Sequence, residues 1–187
     1  MRLIGLVLAT VFAIGATLAH AAGLELIEVP SGAEGRTLTG VVWYPCAAPA
    51  QPVKLSELLV VSAVKDCPIE GNAWPLVVIS HGRTGNFFLH RDIAGVHADA
   101  GFAVAAIYHP GDSSRDMSRT NDLSVLIERP ADITRLVDFM LNTWAGARAL
   151  DRERIGFFGF SRGGYTGLVE MGANPDFSKR LSSPIRR

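Results

Sequence analysis

The stretch RIGFFGFSRGGYTGL, residues 154–168, runs from an apolar segment into a serine set among glycines and then into a helical pattern. Its apolar part does not alternate with polar residues, which is how a strand buried on both faces reads. Gly159, Ser161 and Gly163 make the pattern G-x-S-x-G. In that pattern the serine occupies a sharp strand-to-helix turn with its hydroxyl projecting, and glycines flank it because a Cβ there would collide across the turn. The pentapeptide alone is a common string. Its position, after a strand and at the start of a helix, gives it meaning.

Upstream of this turn, strands and helices alternate. PLVVIS at 75–80 reads as a short buried strand ending in the loop HGRTGN, and a helix is expected from about Leu89 to Ala100, stopped by Gly101. FAVAAIYH at 102–109 is a second buried strand, leading into the polar loop PGDSSRDMSRTND. A helix starting near Pro130 carries Ile133, Leu136, Val137, Met140, Leu141 and Trp144 as one apolar stripe. Ahead of these lie two predicted strands, Leu24 to Val29 and Thr37 to Tyr44, separated by the turn-forming PSGAEG. The segment between Cys46 and Cys67 shows no clear period and reads as an irregular excursion. This order predicts an α/β fold, a mostly parallel sheet with helices on both faces. Chemistry in such sheets collects beyond the carboxyl ends of the strands, where HGRTGN, HPGDSSRD and SRGG belong.

The chain has 187 residues, 48% of them hydrophobic, and 18 basic against 18 acidic side chains. A net charge of zero gives no long-range field that favours nucleic acid, an anionic membrane or an acidic substrate, and nucleic acid is set aside as a partner. At the N-terminus, Met1 and Arg2 precede LIGLVLATVFAIGATL and then AHAAG, a basic start, an apolar run and small residues at a cleavage site. This predicts a signal peptide over residues 1–21 and one domain over 22–187 in a secreted or periplasmic protein, with no stable membrane insertion after cleavage. The alternative is an uncleaved anchor, since Leu3 to Leu24 is roughly long enough to span a bilayer. Export would place Cys46 and Cys67 where a disulfide persists, and their even number fits one bridge, the alternative being two free thiols. Their spacing is not a zinc or redox pattern.

WYPC, KDCPIEG, PLVVISHG, ADAGFAVAAIYHPGD and RIGFFGFSRGG together resemble the α/β hydrolases, specifically an exported branch similar to dienelactone hydrolases and platelet-activating-factor acetylhydrolases. The resemblance covers most of residues 40–175. It implies that Ser161 attacks the carbonyl of a small-molecule ester or lactone, and that the backbone N–H groups of Arg162 and Arg83 hold the oxyanion. His81, Gly82 and His109 are expected beside the substrate, with His81 shaping the oxyanion loop. No cofactor or metal is implied. Asp112, Arg115 and Asp116 read as a solvated loop, the alternative being contact with substrate, and His90 and His97 as solvated or helix-packing residues.

The chain departs from that family in one respect. The family's triad runs Ser, then Asp or Glu, then His, whereas His20, His81, His90, His97 and His109 all precede Ser161. After Ser161 the only acids are Glu170 and Asp176, read as surface residues, and the closing SKRLSSPIRR resembles neither strand nor helix. The expectation is therefore the N-terminal portion of the fold, incomplete at its C-terminus, with RIGFFGF left as an exposed apolar sheet edge. Two functions follow from it. One is a serine hydrolase of esters or lactones, inactive in this chain for want of the triad acid and histidine. The other is a degenerate, non-catalytic hydrolase domain that at most binds a hydrophobic carbonyl ligand.

Overall fold

The computed structural model describes residues 21–32 and 36–176, so the expected signal peptide up to residue 20, His20 within it, and the closing SKRLSSPIRR lie outside the described residues. Seven strands form one mixed sheet: β1 Ala21–Val29, β2 Leu38–Cys46, β3 Gln51–Ser56, β4 Leu59–Lys65, β5 Trp74–Ser80, β6 Ala103–Ile107 and β7 Leu150–Gly159, in the order β3-β4-β1-β2-β6-β5-β7. The half that carries the glycine-flanked serine is parallel, β6 and β7 each lying alongside β5. β1 and β2 pair antiparallel, as do β2 with β6 and β3 with β4.

The helices are α1 Arg91–Asp99, α2 Ser124–Asn142 and α3 Arg162–Glu170. The pleat sends alternate side chains to opposite faces, and two cores result. On one face Val42, Tyr44, Leu76, Val78, Ala105 and Ile107 pack beneath Ile133, Leu136 and Met140 of α2. On the other, Val41, Trp43, Ile79, Val104 and Ala106 pack against Ala94 and Ala98 of α1. β6 is buried along its whole length, in keeping with its unbroken apolar sequence.

Three local expectations need correction. The Cys46 to Cys67 segment is a β3-β4 hairpin whose two-residue Glu57-Leu58 turn closes with the Leu58 N–H donating to Ser56 Oγ at 3.3 Å. Its strands are mostly exposed, only Ala63 among them being buried, and their period-two signal is short, Val53 and Leu55 on one strand and Val61 and Ala63 on the other. α2 begins at Ser124, not near Pro130, and Pro130 lies inside it. Proline suits a first helical turn; here the helix extends back because Val125 and Arg129 are buried beneath it and Asp122 accepts the Ser124 N–H at 2.9 Å. β7 also starts earlier than its apolar run, at Leu150.

β7 is an edge of the sheet among the described residues, with Arg152 to Gly156 exposed and Ile155 and Phe160 open to solvent. At the opposite end of the parallel strands from the serine, Cys46 and Cys67 form a disulfide. The Tyr44 hydroxyl donates to the Cys67 carbonyl at 2.7 Å, and its ring stacks on Trp74 and meets Trp144 edge-on. Burial pushes the Tyr44 phenol up to about 12, with help from the Glu25 and Asp66 charges. The bridge tethers the exposed hairpin to this buried corner. Replacing both cysteines by serine is expected to cost about 3 kcal/mol, measured by urea unfolding, and to leave the hairpin cleavable by protease first.

Candidate active site

Register brings the site together. β5 and β7 run level from Leu76 opposite Ile155 to Ser80 opposite Gly159, so the loops that follow each strand emerge side by side. The Phe160 N–H donates to the Ser80 carbonyl at 3.2 Å and ties the two strand ends. Ser161 follows at φ 54° and ψ −115°, a backbone conformation that L-residues with a Cβ avoid, and α3 starts at the next residue. A Cβ on Gly163 would meet the Ser80 carbonyl, and one on Gly159 would meet the Gly163 carbonyl, so both flanking glycines are sterically required. Ser161 itself is exposed.

The Arg162 N–H is the first of α3, where no intrahelical acceptor is available and the helix dipole presents its positive end. Gly82 comes against the elbow from β5: a Cβ there would stand 3.3 Å from Ser161 Cβ and 3.2 Å from the Phe160 ring. Arg83 follows Gly82 in a turn closed by the Gly85 N–H donating to the Gly82 carbonyl at 3.1 Å. The three residues named from sequence at this corner, Ser161, Arg162 and Arg83, therefore share one edge of the sheet with Gly82.

His81 and His109 are placed differently from the expectation that they border substrate. Both are enclosed, at 1% and 0% exposure, and lie beneath the loops. Their hydrogen bonds form a directed chain. His109 Nε2 pairs with Ser80 Oγ at 2.9 Å and its Nδ1 with Asp132 Oδ2 at 3.2 Å. The His109 backbone N–H donates to His81 Nε2 at 3.4 Å, and His81 Nδ1 pairs with the Gly82 carbonyl at 2.6 Å. His81 thus holds the loop that carries Gly82 and Arg83. Burial, then the His109 and Arg129 charges, lowers the His81 imidazole to about 3 against the Gly82 bond, and burial likewise takes His109 well below its ordinary value.

His90 packs against Phe158 and Phe160 with its Nε2 unpartnered, and His97 bonds the Ile93 carbonyl at 2.8 Å beside Phe102. Among the described histidines none is hydrogen-bonded to Ser161. Glu170 and Asp176 are exposed.

The polar loop after β6 is not solvated throughout. Asp112 is completely buried, and its Oδ2 lies 2.7 Å from a guanidinium nitrogen of Arg129 and 2.7 Å from one of Arg162. Its Oδ1 accepts from the Thr120 hydroxyl at 2.7 Å. Burial pushes this carboxyl up, but the bonds from Thr120, Arg162 and Arg129 outweigh it and hold the group below its ordinary range. Asp116 stays partly exposed and Arg115 lies over the Tyr108 ring at 4.8 Å. The sequence pattern did not single out Arg129 and Asp132. The signal was present, since both extend the apolar stripe of α2 back toward Val125 at helical spacing.

Fold and corner together define an α/β hydrolase architecture: a central parallel β6-β5-β7 unit, a glycine-flanked serine at the β7-α3 turn and an abutting His-Gly loop. Solved structures with this fold include the ferulic acid esterase of Streptomyces cinnamoneus, 24% identical with a TM-score of 0.62 over 85% of this chain and 57% of that one. The acylaminoacyl peptidase of Pyrococcus horikoshii is 18% identical at a TM-score of 0.53, over 78% of this chain and 20% of that one. A Klebsiella pneumoniae protein classed as a dienelactone hydrolase is 17% identical at a TM-score of 0.50, over 81% of this chain and 55% of that one. The chain thus spans little more than half the length of the esterase. No family model and no curated protein matches the sequence.

Two outcomes follow from this geometry. Because Ser161 holds a glycine-like φ of 54°, Ser161→Gly is expected to raise stability by about 1 kcal/mol while Ser161→Ala leaves it unchanged, as read by thermal melting. The second concerns pH. Burial pushes the Asp132 carboxyl up to about 7, against the Arg135 charge. Its unfolded value is about 3.9, so the folded state keeps a proton that the unfolded chain has released. The stabilising contribution is therefore complete below about pH 4 and is lost as pH rises through 7. His81 works the other way, its contribution being lost as pH falls from about 6.5 toward 3. In a comparison of wild type with Asp132→Asn the His81 effect cancels. Urea unfolding should show the variant gaining on wild type by a few kcal/mol, about 4 at most, between pH 4 and pH 8.

Proposed function

We propose that this chain is built for serine-dependent hydrolysis of carboxylic esters or lactones, with Ser161 as nucleophile and the Arg162 and Arg83 backbone N–H groups as oxyanion donors. The observation that carries the reading is the elbow itself: a serine at φ 54° between a parallel strand and a helix, pressed on one side by Gly82. Ser161 Oγ attacks the ester carbon and the carbonyl π electrons move onto oxygen, where two N–H donors, each worth about 3 kcal/mol at the transition state, stabilise the charge. Collapse expels the alkoxide or opens the lactone, and water then releases the acyl group from Ser161. The substrate is a small molecule. That solved proteins of this fold include a ferulic acid esterase supports this class of reaction.

The proton on Ser161 Oγ needs an acceptor, and the described residues do not present one. His81 and His109 are engaged in the buried chain, His97 bonds its own helix, and His90 faces two phenylalanine rings. Hydroxyl attack without a base is slow at neutral pH. This favours the second reading for the 187-residue chain taken alone, a domain that orients a carbonyl without turning it over. Export to an oxidising compartment is part of the same proposal. It is supported by the Cys46 to Cys67 bridge, which such compartments preserve, and by the basic, apolar and small-residue order of the first 21 residues. Among the described residues no helix is long and apolar enough to cross a membrane.

The test uses the full chain with p-nitrophenyl acetate and a fluorophosphonate probe. Turnover is expected to equal that of Ser161→Ala, with weak labelling or none. An otherwise identical chain supplied with a downstream acid and histidine in family order should label at Ser161 and lose both labelling and turnover on Ser161→Ala. Strong Ser161-dependent turnover by the 187-residue chain would show that an imidazole reaches the serine, and His81→Ala and His109→Ala would identify it.

A further inference from the structure

The loop after β6 carries two aspartates with different reach. Asp116 acts within its own loop, accepting from the Gly111 N–H at 2.9 Å, the Ser118 N–H at 3.1 Å and the Ser118 hydroxyl at 2.6 Å, and it approaches Arg36 at 3.7 Å. Asp112 acts between segments. Its carboxylate contacts the Thr84 N–H at 3.4 Å, the Thr120 hydroxyl, Arg129 of α2 and Arg162 of the elbow. Those four contacts join the oxyanion loop, the β6-α2 loop, the second helix and the first residue of α3.

The partners of Asp112 extend its hold. Arg129 reaches past it to donate to Ser80 Oγ at 3.1 Å and to the His81 carbonyl, fixing the end of β5 from below. Thr120 accepts from Arg83 Nε at 3.1 Å through its hydroxyl and from Arg162 at 3.1 Å through its carbonyl. The side chains of the two residues whose backbone N–H groups would face the oxyanion therefore meet at one threonine, and that threonine is held by Asp112. Both guanidiniums bond one oxygen, Oδ2, while Oδ1 takes the Thr84 N–H and the Thr120 hydroxyl, so an amide in its place keeps an acceptor for one pair only and sets its NH2 group against the donors of the other.

We propose that Asp112 is the positioning residue of this edge, a single carboxylate that sets the Arg83 loop and the Arg162 turn at a fixed distance from one another. Its functional part rests on the reading of Ser161 as nucleophile. Oxyanion donors act only when held within a few tenths of an ångström of the developing charge, and a shift of about 1 Å costs on the order of a hundredfold in rate.

Hydrogen exchange of the full chain, followed by mass spectrometry, tests this without needing turnover. In Asp112→Asn, amides in residues 82–85, 113–121 and 161–165 should exchange at least about tenfold faster together, while β1, β2 and β4 stay within about twofold of wild type. Asp116→Asn should speed only residues 110–119. Should Asp112→Asn fail to fold, Arg162→Gln cuts one arm alone and should loosen 118–121 and 161–165 while sparing 82–85. Uniform acceleration across the sheet in Asp112→Asn, acceleration confined to its own loop, or an unchanged elbow in Arg162→Gln would each overturn the assignment. A chain that gives the expected exchange pattern yet shows no Ser161 chemistry even when supplied with an acid and a histidine counts against the hydrolase reading and leaves the role of Asp112 standing.

Discussion

The carbonyl of Ser80 stands where any side chain on Gly163 would have to go. That backbone-to-backbone approach determines the corner around it. It allows the first turn of α3 to lie directly on the end of β5, and the same carbonyl accepts the Phe160 N–H. With both ends of the turn pinned, only a short path remains from strand to helix, and Ser161 must take a positive φ to complete it. The strain at Ser161, on the order of 1 to 3 kcal/mol, persists because the surrounding contacts over-determine it.

Three loops converging on one sheet edge bring many backbone polar groups out of water, and each requires a partner. This explains why the ground beneath the elbow is polar. Arg129 and Asp112 form a completely buried ion pair, an arrangement that seldom adds net stability over apolar packing. What it adds here is a fixed address for loops that have no ladder of their own: Arg129 satisfies the His81 carbonyl, and Asp112 satisfies the Thr84 N–H. The two buried imidazoles serve the same end. One consistent set of neutral tautomers runs from Ser80 through His109 to Asp132, and from the His109 N–H through His81 to the Gly82 carbonyl. Swinging either ring out toward Ser161 would strand several buried partners, at about 1 to 3 kcal/mol for each.

The elbow was legible in the sequence because its constraint is steric and local. A glycine two residues either side of a serine, after an unbroken apolar run, suits a tight strand-to-helix turn and little else. The buried strands were legible for the same reason, their lack of alternation being a direct consequence of two covered faces. The β3-β4 hairpin was not, since its turn residues Glu57 and Leu58 carry no glycine or asparagine and its strands are largely exposed. Nor was the polar core. Asp112 in a stretch of serines, arginines and aspartates looks solvated, and Arg129 beside Pro130 looks like a helix boundary. The helical spacing that carries Arg129 back toward Val125 lies on the far side of that proline, and the burial of Asp112 depends on pairings across 17 and 28 residues of chain that no local pattern displays.

β7 carries the elbow yet has a strand neighbour on one side only among the described residues. An interior strand is aligned by two ladders; here β5 alone sets the register, and Ile155 and Phe160 remain open to solvent. The order of the elbow must therefore come from below and behind, from Gly163 seated on β5, from Gly167 against the Phe157 ring and from the Arg162 arm to Asp112. Only the last of these is polar, and Phe157 and Phe158 pack on the two cores, so β7 and α3 are joined to the sheet by packing as well as by charge. A strained serine at this turn is held by those contacts together, the Arg162 arm to Asp112 adding to the steric seat of Gly163 on β5.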